Sequence, residues 1–198
     1  MTIGTKDGDD PGGEVNDDAG ERERPFVIAP LPEEMPTCRR PKALVLSGWM
    51  TRTSSKAAFV RGLGLEVECP RLPSWRLKAA IRQAQDAHDR LGSDVIIGMS
   101  RGGAIALAIP EDRPLILLAP AWRYFGVRPR PDLEGIVIHS PRDRIIPLGH
   151  SRELCRRCPG LRLVITGIDH RLNCPSGRGA LARALGDLVG LPSMRSST

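Results

Sequence analysis

The sequence predicts a three-layer α/β fold in which about six mostly parallel strands are covered by helices on both faces. Two observations carry this expectation. From Cys38 onward, short apolar runs alternate with amphipathic stretches at the spacing of βαβ units. The runs themselves, such as Val95-Ile96-Ile97 and Leu115-Ile116-Leu117-Leu118, are apolar at every position, as strands buried on both faces must be. A chain of 198 residues has room for one such domain and a tail.

Each segment follows from its composition. Residues 1–25 are rich in Gly and acids with almost nothing apolar, and are expected to be a disordered acidic tail, because they cannot bury enough surface to offset the entropy of ordering. Residues 26–37, with Pro30, Pro32 and Pro36, are expected to be an extended Pro-rich linker. The folded domain is expected over 38–191, with a flexible C-terminus at 192–198. Its strands are predicted at Ala43–Ser47, Leu65–Cys69, Asp94–Met99, Pro114–Ala119, Gly135–Ser140 and Leu161–Thr166. After Ser74, a candidate N-cap, a helix is predicted with Leu77, Ile81, Ala84, His88 and Leu91 on its apolar stripe and Gly92 as its stop. A last helix over Ser176–Val189 presents Leu181, Ala184, Leu185 and Leu188 before Gly190 and Pro192 end it.

Charge and cysteine usage narrow the function classes. The net charge of +6 divides into −7 for residues 1–37, which hold ten acids and three bases, and +13 for the remainder. No apolar run is long enough to cross a bilayer and no secretory leader is visible at the start, so a cytoplasmic protein with no membrane partner is expected. Five cysteines with one close pair, Cys155-x-x-Cys158, do not complete a four-ligand zinc site, so no metal is expected and the thiols read as reduced, partly buried residues. Nucleic-acid binding is disfavoured because the arginines are scattered, without a basic run or interleaved aromatics.

The chemistry centres on Gly98-Met99-Ser100-Arg101-Gly102-Gly103, which follows an apolar strand and opens a small-residue helix. A Ser on so sharp a turn adopts a strained backbone, and glycines are needed where side chains would strike the neighbouring strand and helix. The hydroxyl is a weak nucleophile, so a base and an orienting acid must accompany it. Asp143 lies in the loop after the 135–140 strand and His170 in the loop after the 161–166 strand, giving the chain order Ser, Asp, His. Asp169 is the rival acid and His150 the rival base; His88 and His139 read as packing or surface residues. The N–H of Arg101, at a helix start, and that of Trp49, in the loop Ser47-Gly48-Trp49-Met50, are the expected oxyanion donors. Met50, Trp122 and Tyr124 fall in loops on the same side and are candidates for a substrate pocket, with ordinary loop anchoring as the plainer alternative.

With these residues the body resembles an α/β-hydrolase. Leu44-Val45-Leu46-Ser47-Gly48-Trp49-Met50, followed by Ser54-Ser55-Lys56-Ala57 and later by Pro70-Arg71-Leu72-Pro73, is similar to short, lidless YqiA-like esterases. The chain departs from that pattern at Ser47, where His is usual, and at Arg101, where an apolar residue is usual. The resemblance implies a minimal fold without a cap domain and a hydrolase of small or medium acyl esters or thioesters, acting through Ser100, Asp143 and His170 without metal or organic cofactor. The alternative is a catalytically silent hydrolase fold that binds a ligand or a protein. The connection between the fourth and fifth strands, about fifteen residues, leaves no room for a cap. Arg123, Arg128 and Arg130 lie in it, and Arg52, Arg101, Arg142, Arg144 and Arg171 flank the catalytic loops; this is either a generally Arg-rich surface or a positive field favouring anionic acyl substrates.

Overall fold

The computed structural model describes residues 39–48, 55–110 and 112–190. The acidic tail, the Pro-rich linker, the C-terminal 192–198, and Trp49, Met50 and Arg52 lie outside the described residues. The elements run β1 (Lys42–Leu46), α1 (Ser55–Gly62), β2 (Glu66–Glu68), α2 (Leu77–Leu91), β3 (Val95–Met99), α3 (Arg101–Ala106), β4 (Leu115–Leu118), β5 (Gly135–His139), α4 (Leu148–Arg157), β6 (Leu161–Ile165) and α5 (Pro175–Val189). All six strands are parallel, in the order β2-β1-β3-β4-β5-β6.

Strand alternation sorts the apolar side chains into two cores. Leu44, Leu46, Ile96, Leu115, Leu117 and Val137 face α2, α3 and α4. Ala43, Val45, Val95, Ile97, Ile116 and Ile138 face the opposite layer, which Val60 of α1 and Leu181 and Leu185 of α5 cover. These are the three layers the apolar runs predict. Several strands end a residue earlier than expected because the chain is already turning out of the sheet; Ala119, with φ +44°, marks that departure after β4.

The helix over 77–91 differs in two details. Arg76 rather than Ser74 stands at its N-cap, with no side-chain cap, because the chain turns at Ser74-Trp75 and Ser74 lies too far upstream to reach the first N–H groups. Its buried centre is Ala80, Ala84, Ala87 and His88, while Leu77 and Ile81 pack at the margin, so small side chains bring the helix close to the sheet. Gly92 ends it in the left-handed conformation, as expected. The chain between β4 and β5, residues 119–134, makes turns only. Strand addition reverses direction between β1 and β3, which places a crevice at their carboxyl ends.

Candidate active site

The turn after β3 is shaped by close backbone approach. Ser100 has φ +53° and ψ −117°, outside the ordinary regions for a residue with a side chain. Its N–H donates to Leu118 O at 2.9 Å and its own carbonyl accepts from Ala121 N at 2.9 Å, so the strained turn is pinned to the end of β4. A Cβ at Gly98 would lie 2.7 Å from Gly102 O, and one at Gly102 would lie 1.9 Å from Leu46 O. Both glycines are therefore required by sterics, as the motif predicts. Gly48, in the loop after β1, approaches from the other side: a Cβ there would stand 4.0 Å from Ser100 Oγ. The crevice of the strand order and the serine hydroxyl thus coincide.

His170 and Asp143 meet at the carboxyl ends of β6 and β5. Asp143 Oδ2 accepts from His170 Nδ1 at 2.7 Å, and Asp143 Oδ1 accepts from the N–H groups of Ile145 and Ile146 at 2.8 and 2.9 Å. Burial of the Asp143 carboxyl favours its neutral form, but the bonds from Ile146, His170 and Ile145 outweigh it and hold the group below its ordinary value of 3.8. The rival acid Asp169 is engaged elsewhere, accepting from Leu172 N at 2.9 Å in a tight turn after His170. The rival base His150 sits in the first turn of α4, edge-on to Tyr124 with ring centroids 5.4 Å apart.

Two supporting residues escape a sequence reading. His139, the last residue of β5, is wholly buried beneath Asp143, with Nε2 3.3 Å from Asp143 Oδ2 and 3.0 Å from Ile146 O. Both neighbours are acceptors, so Nε2 carries the proton and Nδ1 accepts from Ser151 Oγ at 2.7 Å. Burial drives the His139 pKa down despite Ile146 O and Asp143, which keeps the ring neutral. It is a packing residue, as expected, but one that also steadies the acid; the signal in the sequence is a lone polar residue in an otherwise apolar strand. Lys56 of α1 is buried too, donating to Arg171 O at 2.8 Å, Leu172 O at 2.9 Å and Asn173 Oδ1 at 2.5 Å. It clamps the chain immediately after His170, where Leu172 is held at φ +52°. Burial, aided by Arg178 and opposed by Asp169, lowers the Lys56 pKa to about 8.

The remaining expected residues separate into distinct settings. Trp122 is buried in the core with Nε1 donating to His150 O at 3.0 Å, which anchors its loop. Tyr124 is exposed and its hydroxyl donates to Ile145 O at 3.3 Å. The Arg101 side chain turns inward and so adds to neither an Arg-rich surface nor a positive field: its guanidinium donates to Pro73 O and lies over the Phe125 ring. Arg123 and Arg130 are taken up by ion pairs with Glu153 and with Asp112. Beside His170 lies a cavity of about 450 Å³ whose walls include Arg142, Arg144 and Arg171 together with Ile145 and Ile168. Among the described residues no helix is long and apolar enough to cross a membrane.

No protein-family profile and no curated protein sequence matches the chain. Solved structures do resemble it. A protein designated a hydrolase, from Agrobacterium vitis S4, superposes with a TM-score of 0.63 at 16% identity, covering 76% of this chain and 88% of its own. The α/β hydrolase domain-containing protein 10 from mouse gives 0.59 at 15% identity over 77% of this chain and 90% of its own. The esterase Est2 from the Planctomycetes species Thermogutta terrifontis, solved with propionate bound, gives 0.58 at 16% identity over 80% and 87%. With its six parallel strands and its three layers, the chain has a minimal α/β-hydrolase fold.

Proposed function

We propose that this protein is a serine hydrolase that cleaves carboxylic esters or thioesters of small to medium acyl groups. The observation that carries the proposal is a serine on a strained, glycine-flanked turn accompanied by a His-Asp pair at 2.7 Å, all at the same end of one parallel sheet. Ser100 Oγ bonds to the acyl carbon while its proton passes to His170 Nε2. The carbonyl electron pair moves onto oxygen, where the N–H of Arg101 and that of residue 49, next along the chain from Gly48, are the proposed donors. Collapse of this intermediate breaks the bond to the alcohol or thiol, which leaves with the proton from His170. Water then adds to the acyl-enzyme with His170 again as base, releasing the acid and restoring Ser100. Asp143 holds the Nδ1–H tautomer throughout and stabilises the imidazolium. The turn-only 119–134 connection supports an open site of the lidless esterase kind.

The test is covalent labelling with a fluorophosphonate probe. Wild-type protein is expected to label at Ser100 and to hydrolyse short 4-nitrophenyl esters, and Ser100→Ala to do neither. Folded wild-type protein that neither labels nor turns over any ester would overturn the proposal in favour of a silent binding module.

A further inference from the structure

Most guanidinium groups in this Arg-rich chain for which a partner is seen have a carboxylate: Arg39 pairs with Asp94, Arg90 with Glu68, Arg157 with Glu153 and Arg162 with Asp187. The three on the wall beside His170 do not. Arg142, Arg144 and Arg171 are exposed and make no side-chain ion pair or hydrogen bond among the described residues. They come from two loops, the one carrying Asp143 and the one carrying His170, so the sheet ends that build the His-Asp pair also gather the cations. Among the described residues the only carboxylate on that wall is Asp169, and one of its oxygens is already bound to the Leu172 N–H. Unpaired like charges gathered around one cavity repel one another, and an arriving anion is the group that relieves this.

The same wall is also apolar. Ile145 and Ile168 are 60% and 59% exposed, among the most exposed large aliphatic side chains of the described residues, and both face the cavity with the arginines. Water solvates neither isoleucine favourably, and a ligand that covers them while presenting a negative group to the guanidiniums satisfies both features at once.

We propose that the substrate of this site is an anionic amphiphile: an acyl ester or thioester that bears a carboxylate or phosphate a short apolar stretch from the scissile bond, held by Arg142, Arg144 and Arg171. This rests on the hydrolase proposal above. The guanidinium groups would bind the charge as charge-assisted hydrogen bonds, and Ile145 and Ile168 would cover the apolar part.

The experiment uses the full chain and two matched pairs. The first is 4-nitrophenyl hexanoate against mono-4-nitrophenyl adipate, which places a carboxylate at the acyl end. The second is the hexanoyl thioester of N-acetylcysteamine against that of coenzyme A, which places phosphates on the leaving side. At an ionic strength of about 0.01 M, kcat/KM for the charged member of at least one pair is expected to exceed that of its neutral partner by about tenfold, and the advantage should shrink at about 1 M. The pair that responds shows whether the site takes a carboxylate on the acyl side or a phosphate on the leaving side. Arg144→Gln/Arg171→Gln should remove the advantage, whereas Arg144→Lys/Arg171→Lys, which keeps the charge, should retain part of it and guards against a loss due to misfolding. Equal kcat/KM within both pairs, with no salt dependence and with Ser100 still labelled by the probe, would overturn this proposal and leave the hydrolase standing. Absence of both labelling and turnover would overturn the two together.

Discussion

Single residues set the chemistry through how many partners they can satisfy. Asp143 uses both oxygens, one on two backbone N–H groups and one on His170, with the neutral His139 ring 3.3 Å behind it. Replacing His139 with Phe keeps the ring's bulk but leaves Ser151 Oγ and Ile146 O without their partner and loosens the carboxylate. The expected outcome in steady-state kinetics is a fall in kcat of about tenfold with KM little changed, since losing the neutral ring that steadies the charged carboxylate need cost only about 1.4 kcal/mol of transition-state stabilisation for that change. An unchanged kcat would mean that the two backbone N–H groups suffice. The proposed triad of Ser100, Asp143 and His170 is legible in the sequence because its chemistry would demand those residue types in the turns after β3, β5 and β6. His139 and Lys56 are not, because a buried polar side chain is recognised by its hydrogen-bond partners, and those lie seven to 117 residues away along the chain. Arg101 departs from expectation for a related reason. Its acceptor, Pro73 O, belongs to the loop before α2, which no local pattern connects to the serine turn.

Elements are positioned here by what the chain omits as much as by what it buries. Helix α3 can lie against β1 only because Gly102 has no side chain: a Cβ would fall 1.9 Å from Leu46 O, a backbone atom that cannot swing aside. Gly102→Ala is expected to yield insoluble or strongly destabilised protein, with a midpoint in urea far below wild type. Gly149 makes the contrasting case. It sits in α4 with nothing within 4 Å of the place a Cβ would take, so Gly149→Ala should raise stability by about 0.5–1 kcal/mol through helix propensity. If both substitutions behaved alike, close approach would not be what the glycine at 102 provides. The central strands β1, β3, β4 and β5 are legible in the sequence to within a residue because their almost wholly apolar runs admit few alternatives. Helix starts are less so: α2 begins without a side-chain cap, and Ser74, whose residue type suggests one, belongs to the preceding turn.

For the whole molecule, the pH dependence of stability is tied to Lys56, which joins α1 to the chain that follows His170. Its pKa near 8 lies below the unfolded value of 10.5, so the folded state binds fewer protons between these limits. The sign is fixed: below about pH 8 the buried ammonium carries its full cost, and stability rises as pH climbs from there toward 10.5. Relative to Lys56→Met, which cannot titrate, the wild-type protein should therefore gain stability across that window. Urea denaturation of both proteins at the two ends of the window would check it, and a difference that is flat or falls with pH would contradict it. The fold as a whole is legible because an all-parallel sheet with both faces covered leaves a distinctive sequence record.

The turn-only connection of residues 119–134 also has meaning for engineering. Gly126 is exposed on it, and nothing lies within 4 Å of where its side chain would be, while Ala121 at the near end is bonded to Ser100 O. Chain spliced in at Gly126 would therefore leave the sheet contacts intact and rise just beyond Ala121, which is bonded to the serine turn, and lengthening a surface loop costs little, about 0.6 kcal/mol per doubling. The molecule is in this sense a chassis with a vacant mounting point, to which a lid of chosen selectivity could be fitted without rebuilding the core.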